Sequence, residues 1–591
     1  MADADADTRR HSGESTRPDT DEEARLLPSE ELGIEDGDAP ADNGPPIHAP
    51  SPKPHTITPI FPSLQHFPLT LADRYLRTPL ATRLAAVALP LLWLLAFSIP
   101  LIVTTRPAHD AAGAPVRNLD CVDTLFPRRA CGLDGLDCKP FTNDSFAFRC
   151  PASCAGVMVL NPRPVGPLQV NYRSLVVGSG AYRGDSFVCG AGIHAGVISD
   201  AGGGCGRVTR VGERTSFEAT ESHGIESIPF DSYFPLAYTV DPEPSVTCPP
   251  DIRWALLPVT LTFSVLVTLF STSPAYTFTM VSLSLFAHTA FASDPPPSHA
   301  ADPLPDLTSL FARRLLPASF CALCVYRTCV RRTLNGLTAQ VEKVVLWLGA
   351  FWVGTLSNYT FSAIPIQRLT PHDLEQQPGA KVALALILVA ITLIVCGQAY
   401  HFRAEGRLRK VATLYGILGA ALLVLVLLPG LHVRLHHYVF SLLLLPGTAM
   451  QTRPSLVYQG LLLGLFANGV ARWDFDSVLQ TAGALRADAA FDSLVPNVTA
   501  LVTSPENLTF SFGGPLAHFD GVSGVVNDVE RFRGFFADGP LEFVWARNAA
   551  HGFDEYFRFA FVRGKKVLDF GATGVWFANG SYHAANETVT T

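Results

Sequence analysis

Charged residues are scarce in this chain. They make up 16% of its 591 residues, whereas about a quarter is usual for a soluble protein. The shortage is uneven, because apolar runs recur from about residue 84 to about residue 470. The formal net charge is only −8, and the chain lacks the Lys/Arg-rich stripe of a nucleic-acid-binding protein. We therefore expect a protein that has the lipid bilayer as a partner and no nucleic-acid partner.

Cysteine is missing from the first 120 residues and from the last 120. Four of the twelve cysteines lie in or beside the later apolar runs. The other eight lie between the first apolar run and the second: Cys121, Cys131, Cys138, Cys150, Cys154, Cys189, Cys205 and Cys248. An even cluster of this kind predicts a disulfide framework in an oxidising compartment. The repeated CxxC spacing that a zinc site needs is absent from this region.

Aromatic residues are sparse in residues 1–55, which are acidic and rich in Pro, Ser and Gly. Such a segment cannot bury enough apolar surface to offset chain entropy, so we predict a disordered cytoplasmic tail. Within it, residues 22–27 (EEARLL) fit an acidic-dileucine sorting pattern, although a solvated tail explains them equally simply. Residues 56–83 are then a cytoplasmic juxtamembrane segment.

The first apolar run, residues 84–103, is long enough to cross a bilayer. A helix of this length spans a hydrocarbon core of about 30 Å. Arg74, Arg77 and Arg83 precede it, which favours a cytoplasmic N-terminus because basic residues accumulate on that side. We predict a first transmembrane helix over residues 84–104 and export of residues 105–252.

Residues 253–470 are predicted to form a bundle of about eight further spans, nine in all. The apolar runs begin near Trp254, Ala275, Leu315, Val344, Val382, Val411, Tyr438 and Leu456. Nine spans place two basic loops, around residues 327–343 and 403–410, in the cytoplasm. The runs at Leu315 and Tyr438 are short for a span, and without both of them seven spans would remain.

Residues 471–591 are predicted to form an exported all-β, sandwich-like domain. Residues 507–512 (NLTFSF) and 556–562 (YFRFAFV) alternate in the way that half-buried strands do. Glycosylation sequons, which are used only in a secretory lumen, also favour an extracytoplasmic C-terminus. They occur here at Asn497, Asn507, Asn579 and Asn586, and in the first exported segment at Asn143.

The first exported segment contains one distinctive stretch. It holds CPASC at residues 150–154, VGSGAY at residues 177–182 and SFVCGAGIHAGVI at residues 186–198. Residues 186–198 are predicted to include a short helix that Cys189 ties to a neighbour. A strand is predicted at residues 207–211.

These motifs resemble those of an LCCL domain over about residues 138–234. The residues that carry the resemblance are Gly178, Ser179, Tyr182, Ser186, Cys189, Ile193, His194, Gly196, Val197 and Ile198. The remaining chain resembles fungal multi-pass LCCL-containing membrane proteins, through YRTCVRRTL, QVEKVVLWLG, IQRLTPHDL and EYFRFAF.

The resemblance implies a small α+β unit whose central helix is held by two disulfides. Carried over by position, the pairs are Cys138–Cys150 and Cys154–Cys189, and the pairing of Cys121, Cys131, Cys205 and Cys248 stays open. The resemblance also implies an extracellular module that binds ligands, with no catalysis and no cofactor.

Within this segment, Tyr182, Arg183 and Asp185, beside Arg173, are predicted to touch a ligand. An aromatic ring beside a cation and a carboxylate suits a sugar or a polar headgroup. The competing interpretation is that Tyr182 packs under the helix while the charges are solvated. For His194 we expect structural packing, because no nucleophile-elbow context surrounds it.

We therefore expect a non-enzymatic membrane protein whose LCCL domain binds or senses a glycan, a lipid or a protein. Its compartment would be the secretory pathway, the plasma membrane or the vacuole and endosome. One alternative is a transporter or channel with accessory exported domains, which would need ionisable residues within the spans. Another is a membrane-bound glycan or lipid enzyme that uses Asp474 and Asp476 to hold a divalent cation.

Overall fold

The computed structural model describes residues 54–127, 130–138, 144–366, 371–481, 494–504, 506–516, 518–548, 552–564 and 566–585. The predicted disordered tail lies outside these residues except for its last two positions. The sorting pattern at residues 22–27 and the sequons at Asn143 and Asn586 lie outside them as well.

Fifteen α-helices occur among the described residues. They are α1 Pro62–Tyr75, α2 Pro79–Thr104, α3 Val188–His194, α4 Leu256–Phe270, α5 Pro274–His288, α6 Leu304–Val325, α7 Arg331–Leu334, α8 Gln340–Glu342, α9 Gly349–Thr355, α10 Ser357–Thr360, α11 Pro371–Gln376, α12 Ala380–Ala404, α13 Leu408–Val426, α14 His437–Leu444 and α15 Arg453–Trp473. Three π-helical turns extend or connect them, at Thr289–Ser293, Tyr326–Val330 and Lys343–Leu348.

The described strands fall into two groups. The first group is β1 Arg117–Asn118, β2 Ser145–Cys150, β3 Arg163–Val165, β4 Leu168–Val170, β5 Gly178–Ser179, β6 Ala181–Arg183, β7 Gly204–Arg214, β8 Glu221–Ser222, β9 Ile225–Glu226 and β10 Phe234–Pro242. The second group is β11 Leu431–Val433, β12 Leu479–Thr481, β13 Val498–Ser504, β14 Asn507–Phe512, β15 Gly521–Val526, β16 Val529–Phe535, β17 Glu542–Ala546, β18 Glu555–Arg563, β19 Lys566–Val567, β20 Gly574–Trp576 and β21 Tyr582–His583.

Six helices in the described part of the chain are long and apolar enough to cross a membrane. They are Pro79–Thr104, Arg253–Phe270, Leu304–Leu334, Ala380–Ala404, Leu408–Val426 and Arg453–Trp473. The short run at Leu315 thus belongs to one of the long helices, because polar residues on both sides continue its helix.

The other three predicted runs form shorter helices. The run at Ala275 is α5, which continues into the π-helical turn Thr289–Ser293. The run at Val344 is interrupted by the π-helical turn Lys343–Leu348. The run at Tyr438 gives only the eight residues of α14, about 12 Å at the usual helical rise. That length is less than half of a hydrocarbon core of about 30 Å.

Helix α15 is the central helix of the bundle, since 72% of its apolar window is buried, against 6% for α12 and 0% for α13. Glycines let its backbone approach α9 closely. A Cβ added to Gly464 would lie 2.2 Å from the carbonyl oxygen of Phe351, and one added to Gly460 would lie 2.2 Å from that of Trp347. Small residues are a common means of close helix packing in membranes.

One end of the bundle, the basic end, joins residues 55–65 to the turns near residues 335–342, 401–407 and 449–453. The backbone N–H of His55 donates to Glu405 at 3.0 Å, and that of Ile60 donates to Glu342 at 2.8 Å. Arg453 forms an ion pair with Glu342 at 2.6 Å. Both predicted basic loops therefore lie at the same end as the segment before α2.

The other end of the bundle faces the Cys-rich segment between α2 and α4. Arg149 donates to the carbonyl oxygen of Thr104 at 2.9 Å, where α2 ends. Asn118 donates to the carbonyl oxygen of Ala300 at 2.6 Å, in the loop before α6. The Pro-rich loop near residue 295 is thus at the end opposite the basic loops.

Residues 117–248 form the Cys-rich domain. Its main sheet has six strands in the order β1-β2-β7-β10-β6-β5. The strand predicted at residues 207–211 is the centre of β7, and the predicted short helix is α3. Helix α3 packs on the sheet around the buried side chains of Phe148, Ile193 and Tyr238.

Residues 498–583 form the C-terminal sandwich. One sheet has the order β13-β14-β17, and the other has the order β16-β15-β18-β20-β21 with β19 beside β18. Phe510 of the first sheet faces Phe557 and Phe559 of the second, with ring centroids 5.0 and 4.8 Å apart. Both strands predicted here are confirmed, as β14 and β18.

Candidate functional site

All eight clustered cysteines form disulfides: Cys121–Cys154, Cys131–Cys138, Cys150–Cys189 and Cys205–Cys248. The predicted pairs Cys138–Cys150 and Cys154–Cys189 are therefore wrong. Cys150 ends β2 beside α3, so it is the partner of Cys189, and Cys154 pairs with Cys121 instead. Cys138 closes a short loop with Cys131.

The turn between β5 and β6 depends on glycine. Gly178 has a φ of +97°, and a Cβ there would lie 2.5 Å from the carbonyl oxygen of Ala181. The hydroxyl of Ser186 accepts a hydrogen bond from the backbone N–H of Val177 at 2.9 Å, which fixes the start of the helical segment. These predicted motif residues thus set the local backbone, together with Gly196 at a φ of +74°.

His194 ends α3 in a buried hydrogen-bond network. Its Nδ1 lies 2.8 Å from the hydroxyl of Tyr182, and its Nε2 lies 3.1 Å from the carbonyl oxygen of Thr220. Burial raises the pKa of Tyr182 to about 12. The phenol therefore keeps its proton and donates it to Nδ1, so that Nε2–H donates to Thr220. The arrangement is structural, as the sequence predicts for this histidine.

Arg183 at the end of β6 is completely buried in an ion cluster. Its guanidinium donates to Asp185 at 2.8 Å and to Asp528 at 2.9 Å. Burial by itself lowers the pKa of Arg183, but the two carboxylates more than offset this effect and raise it. The rings of Phe230 and Phe234 lie 4.5 and 4.8 Å from the guanidinium carbon and add cation–π contacts.

Asp528 belongs to the C-terminal sandwich, at the tip of the β15–β16 hairpin. Both residues of this tip, Asn527 and Asp528, have a positive φ, as a tight hairpin turn requires. The carboxylate of Asp528 also accepts from the backbone N–H of Gly166 at 2.8 Å. The hairpin of one domain is therefore inserted into the other.

Further contacts join the two domains around this ion cluster. Tyr556 donates to Asp231 at 2.8 Å, and Ser232 donates to the carbonyl oxygen of Asp554 at 2.6 Å. Val529 and Tyr556 belong to the same buried apolar cluster as the core of the Cys-rich domain. The two domains share this buried apolar cluster and form a single folded unit.

The predicted ligand-contact surface is therefore wrong for three of its four residues. Tyr182, Arg183 and Asp185 are 1%, 0% and 2% exposed. Tyr182 does pack under the helix, as the competing interpretation held, but the charges of Arg183 and Asp185 are paired rather than solvated. Tyr182 is covered by its own domain, whereas Arg183 and Asp185 form a buried ion cluster with Asp528 of the C-terminal sandwich.

Arg173 is the accessible member of that predicted set. Its side chain is 38% exposed and lies 3.5 Å from the carboxylate of Glu226, whose own side chain is 73% exposed. The ion pair links the loop before β5 to the β8–β9 hairpin. An exposed pair of this kind adds little stability, and its side chains are accessible to a ligand.

The Cys-rich domain and the chain as a whole are each similar to known sequences. The LCCL domain family model matches residues 119–235. The uncharacterized protein YIL067C of Saccharomyces cerevisiae is 32% identical over 465 residues, which are 73% of this chain and 68% of that protein. The chain belongs to the family of this yeast protein.

The Cys-rich domain is thus an LCCL domain, and its match begins before the predicted start at Cys138. Cys121 and Cys131, which were expected outside the family core, lie inside the matched region. Their position explains the error in pairing, since a four-cysteine set omits the partners that Cys154 and Cys138 actually have.

The LCCL domain is joined to the bundle by a polar contact near α4. The carboxylate of Asp251 accepts from the backbone N–H of Ala152 at 3.0 Å and pairs with Arg253. Burial alone would raise the pKa of Asp251, but the hydrogen bonds from Arg253 and Ala152 lower it below its usual range. The joint therefore stays ionised at neutral pH.

Three of the described sequons lie on the C-terminal sandwich, and a fourth, at Asn358, lies in α10 of the bundle. Asn497 and Asn579 are exposed, and Asn507 is half-buried at the start of β14. All three are accessible enough to be acceptors if this domain is lumenal.

The two carboxylates proposed for an enzyme, Asp474 and Asp476, interact with different side chains. Asp474 pairs with Arg313 at 2.7 Å, and Asp476 lies 3.9 Å from His436. Among the residues that the structure describes, no cluster of three Asp, Glu, His or Cys side chains could hold a metal ion. The non-enzymatic assignment stays a prediction.

Proposed function

We propose that this chain is a non-enzymatic integral membrane protein that binds a ligand outside the cytoplasm. The binding surface belongs to the unit formed by the LCCL domain and the C-terminal sandwich, and the ligand is a glycan, a lipid headgroup or a protein. An LCCL domain is a module of the ligand-binding type. The burial of Arg183 against Asp528 carries the proposal, because it makes the two domains one rigid platform.

The arrangement of the bundle supports this sidedness. The four disulfides of the LCCL domain indicate an oxidising compartment. The basic loops lie at the opposite end, as expected for cytoplasmic loops. We propose that all nine apolar runs form membrane segments, with the short α14 packed against α15 rather than spanning alone.

Ligand contact is proposed at Arg173 and the neighbouring β8–β9 hairpin. This hairpin carries the exposed acidic side chains of Glu221 and Glu226. Opposite charges side by side on a rigid edge can orient a polar ligand through charge-assisted hydrogen bonds.

The test uses the full chain in lipid nanodiscs, because the LCCL domain shares its core with the sandwich. It is screened on glycan arrays and on vesicles of defined headgroups. We expect Arg173→Ala to lose binding, and Arg214→Ala, an exposed arginine of the same domain, to retain it. Equal binding by both folded variants would move the contact elsewhere, and binding unaffected by removing residues 117–248 would refute an LCCL ligand site.

A transporter is the second candidate, and one observation favours it. Asp294 is 6% exposed and Asn468 is 0% exposed where α15 meets the π-helical turn Thr289–Ser293, and the side-chain oxygen of Asn468 has no partner among the described residues. Buried polar groups in spans commonly mark pathways. Proton uptake into vesicles containing the chain, lost in Asn468→Leu, would support transport. Vesicles with no uptake above protein-free controls would exclude proton transport.

A further inference from the structure

Helix α1 lies directly before the first span and is fastened to the basic end of the bundle. The side-chain oxygen of Gln65 accepts from the backbone N–H groups of Val341 and Glu342 at 2.8 and 3.1 Å. Gln65 is 4% exposed, and Pro68 is buried beside it. One face of α1 is thus fixed against the bundle, and the helix is not a free linker.

A second face of α1 is apolar and uncovered. Leu64, Phe67 and Tyr75 are 56%, 59% and 74% exposed, and Leu71 lies between them on the helix. At 100° per residue these four side chains occupy a stripe about 80° wide. Phe61, just before the helix, is 75% exposed and extends the same apolar surface.

A third face of α1 is polar and completes the amphipathic pattern. His66 and Asp73 lie opposite the apolar stripe, and Thr70 lies between them and Phe67 on the helix surface. Helix α1 therefore has one face against the bundle, one apolar face and one polar face. Among the residues that the structure describes, none covers the apolar stripe.

The apolar stripe continues into the surface of α2. Only residues 76–78 separate the two helices, and α2 exposes Leu80, Leu84 and Val87 by 66%, 60% and 59%. These side chains belong to an apolar span, where lipid is the expected neighbour. The stripe of α1 therefore begins where the lipid-facing surface of α2 begins.

The charges at this junction are mostly positive. Arg74, Arg77 and Arg83 are exposed within ten residues of each other, and Asp73 is the acidic residue among them. Basic side chains beside an apolar stripe match the anionic headgroups of a cytoplasmic leaflet.

We propose that α1 is an interfacial helix that lies in the headgroup layer of an anionic leaflet. Leu64, Phe67 and Tyr75 enter the acyl boundary, while Arg74 and Arg77 contact lipid phosphates. The bundle contact through Gln65 holds the helix at that depth. The site is independent of the ligand that the LCCL domain binds, and it requires only that α2 is inserted in a bilayer.

The test places a fluorophore on two faces of α1 in the full chain. The free cysteines Cys321, Cys324, Cys329 and Cys396 are replaced by serine, and the disulfides are kept. Phe67→Cys and Thr70→Cys are each labelled with an environment-sensitive dye and reconstituted into phosphatidylcholine vesicles, with or without phosphatidylserine. Both variants must first elute as single species with native disulfides.

We expect the dye at position 67 to emit at shorter wavelength and to be quenched by spin-labelled lipid, and the dye at position 70 to remain in water. Arg74→Gln and Arg77→Gln should each weaken insertion roughly fivefold, in the anionic vesicles only. Equal water exposure of both positions would overturn the proposal. Shielding of position 67 that disappears on dilution with lipid would also overturn it, and would indicate a second copy of the chain.

Discussion

At the residue scale, Arg183 joins the LCCL domain to the C-terminal sandwich. The sequence marks it as a charged neighbour of the LCCL motif, and such a residue is usually solvated. The structure buries it between Asp185 of its own domain and Asp528, which is 345 positions away in the chain. A buried cation is tolerated only with such partners, because its desolvation is costly.

The first prediction removes one partner of this arginine. Asp528→Ala should destabilise the exported unit by about 3 kcal/mol, the low end for a broken buried pair, because Asp185 remains. The measurement is thermal unfolding of the full chain in detergent. Asp538→Ala, an exposed carboxylate on the same sandwich, is the control and should change little. Equal melting temperatures for both variants would show that the Asp528 contact is not formed.

A second residue-scale prediction concerns acidity at the joint between the LCCL domain and α4. The pKa of Asp251 is lowered in the folded protein, so its stabilising effect exists above the ordinary Asp pKa of about 3.9 and fades as pH falls below it. The difference in melting temperature between the parent and Asp251→Asn should therefore stay constant from about pH 7 to about pH 5. A difference that vanishes already at pH 5 would contradict the lowered pKa.

At the scale of elements, the helices of the bundle can be predicted from the composition of the sequence. Which of them becomes the central helix cannot be predicted in this way. Helix α15 is less apolar than α12, yet it is the buried one, because its glycines allow close contact with α9. Two of the predicted runs, at Ala275 and Val344, also give shorter α-helices, because a π-helical turn follows the first and interrupts the second.

The third prediction tests this close contact. Gly464→Val should prevent α15 and α9 from packing, because even a Cβ would lie 2.2 Å from the carbonyl oxygen of Phe351. Overpacking of this kind costs about 1–3 kcal/mol or more. Gly397→Val in α12, where nothing lies within 4 Å, is the matched control. Size-exclusion profiles in detergent should show aggregation of the first variant alone.

At the scale of the whole molecule, the LCCL domain and the C-terminal sandwich are far apart in sequence and adjacent in space. The bundle separates them in the chain and returns the C-terminal part to the LCCL domain. Since Val529 and Tyr556 of the sandwich pack into a buried cluster of the LCCL domain, both regions must lie on the same side of any membrane that the bundle spans.

The fourth prediction tests that sidedness. Endoglycosidase should increase the mobility of the full chain, and Asn497→Gln with Asn579→Gln should reduce the shift, since both asparagines are exposed. Protease added to sealed microsomes should leave the C-terminal sandwich intact. Its removal by the protease would contradict both the topology and the shared core.

The sequence by itself determined the local features: the apolar helices, the short helix with Cys189, and the strands at residues 507–512 and 556–562. Each follows from periodicity or from a short motif, which are local properties. It also determined that eight cysteines lie between the first two apolar runs.

Only the tertiary structure decided which of these cysteines pair, which helix is central, and that Asp528 reaches Arg183. These outcomes depend on residues brought together from distant parts of the chain, and no local pattern records such distances. Sequence and tertiary structure differ most in which residues are accessible to a ligand. From the sequence, Arg183 and Asp185 are predicted to be accessible, but the domain that covers them begins about 300 residues later.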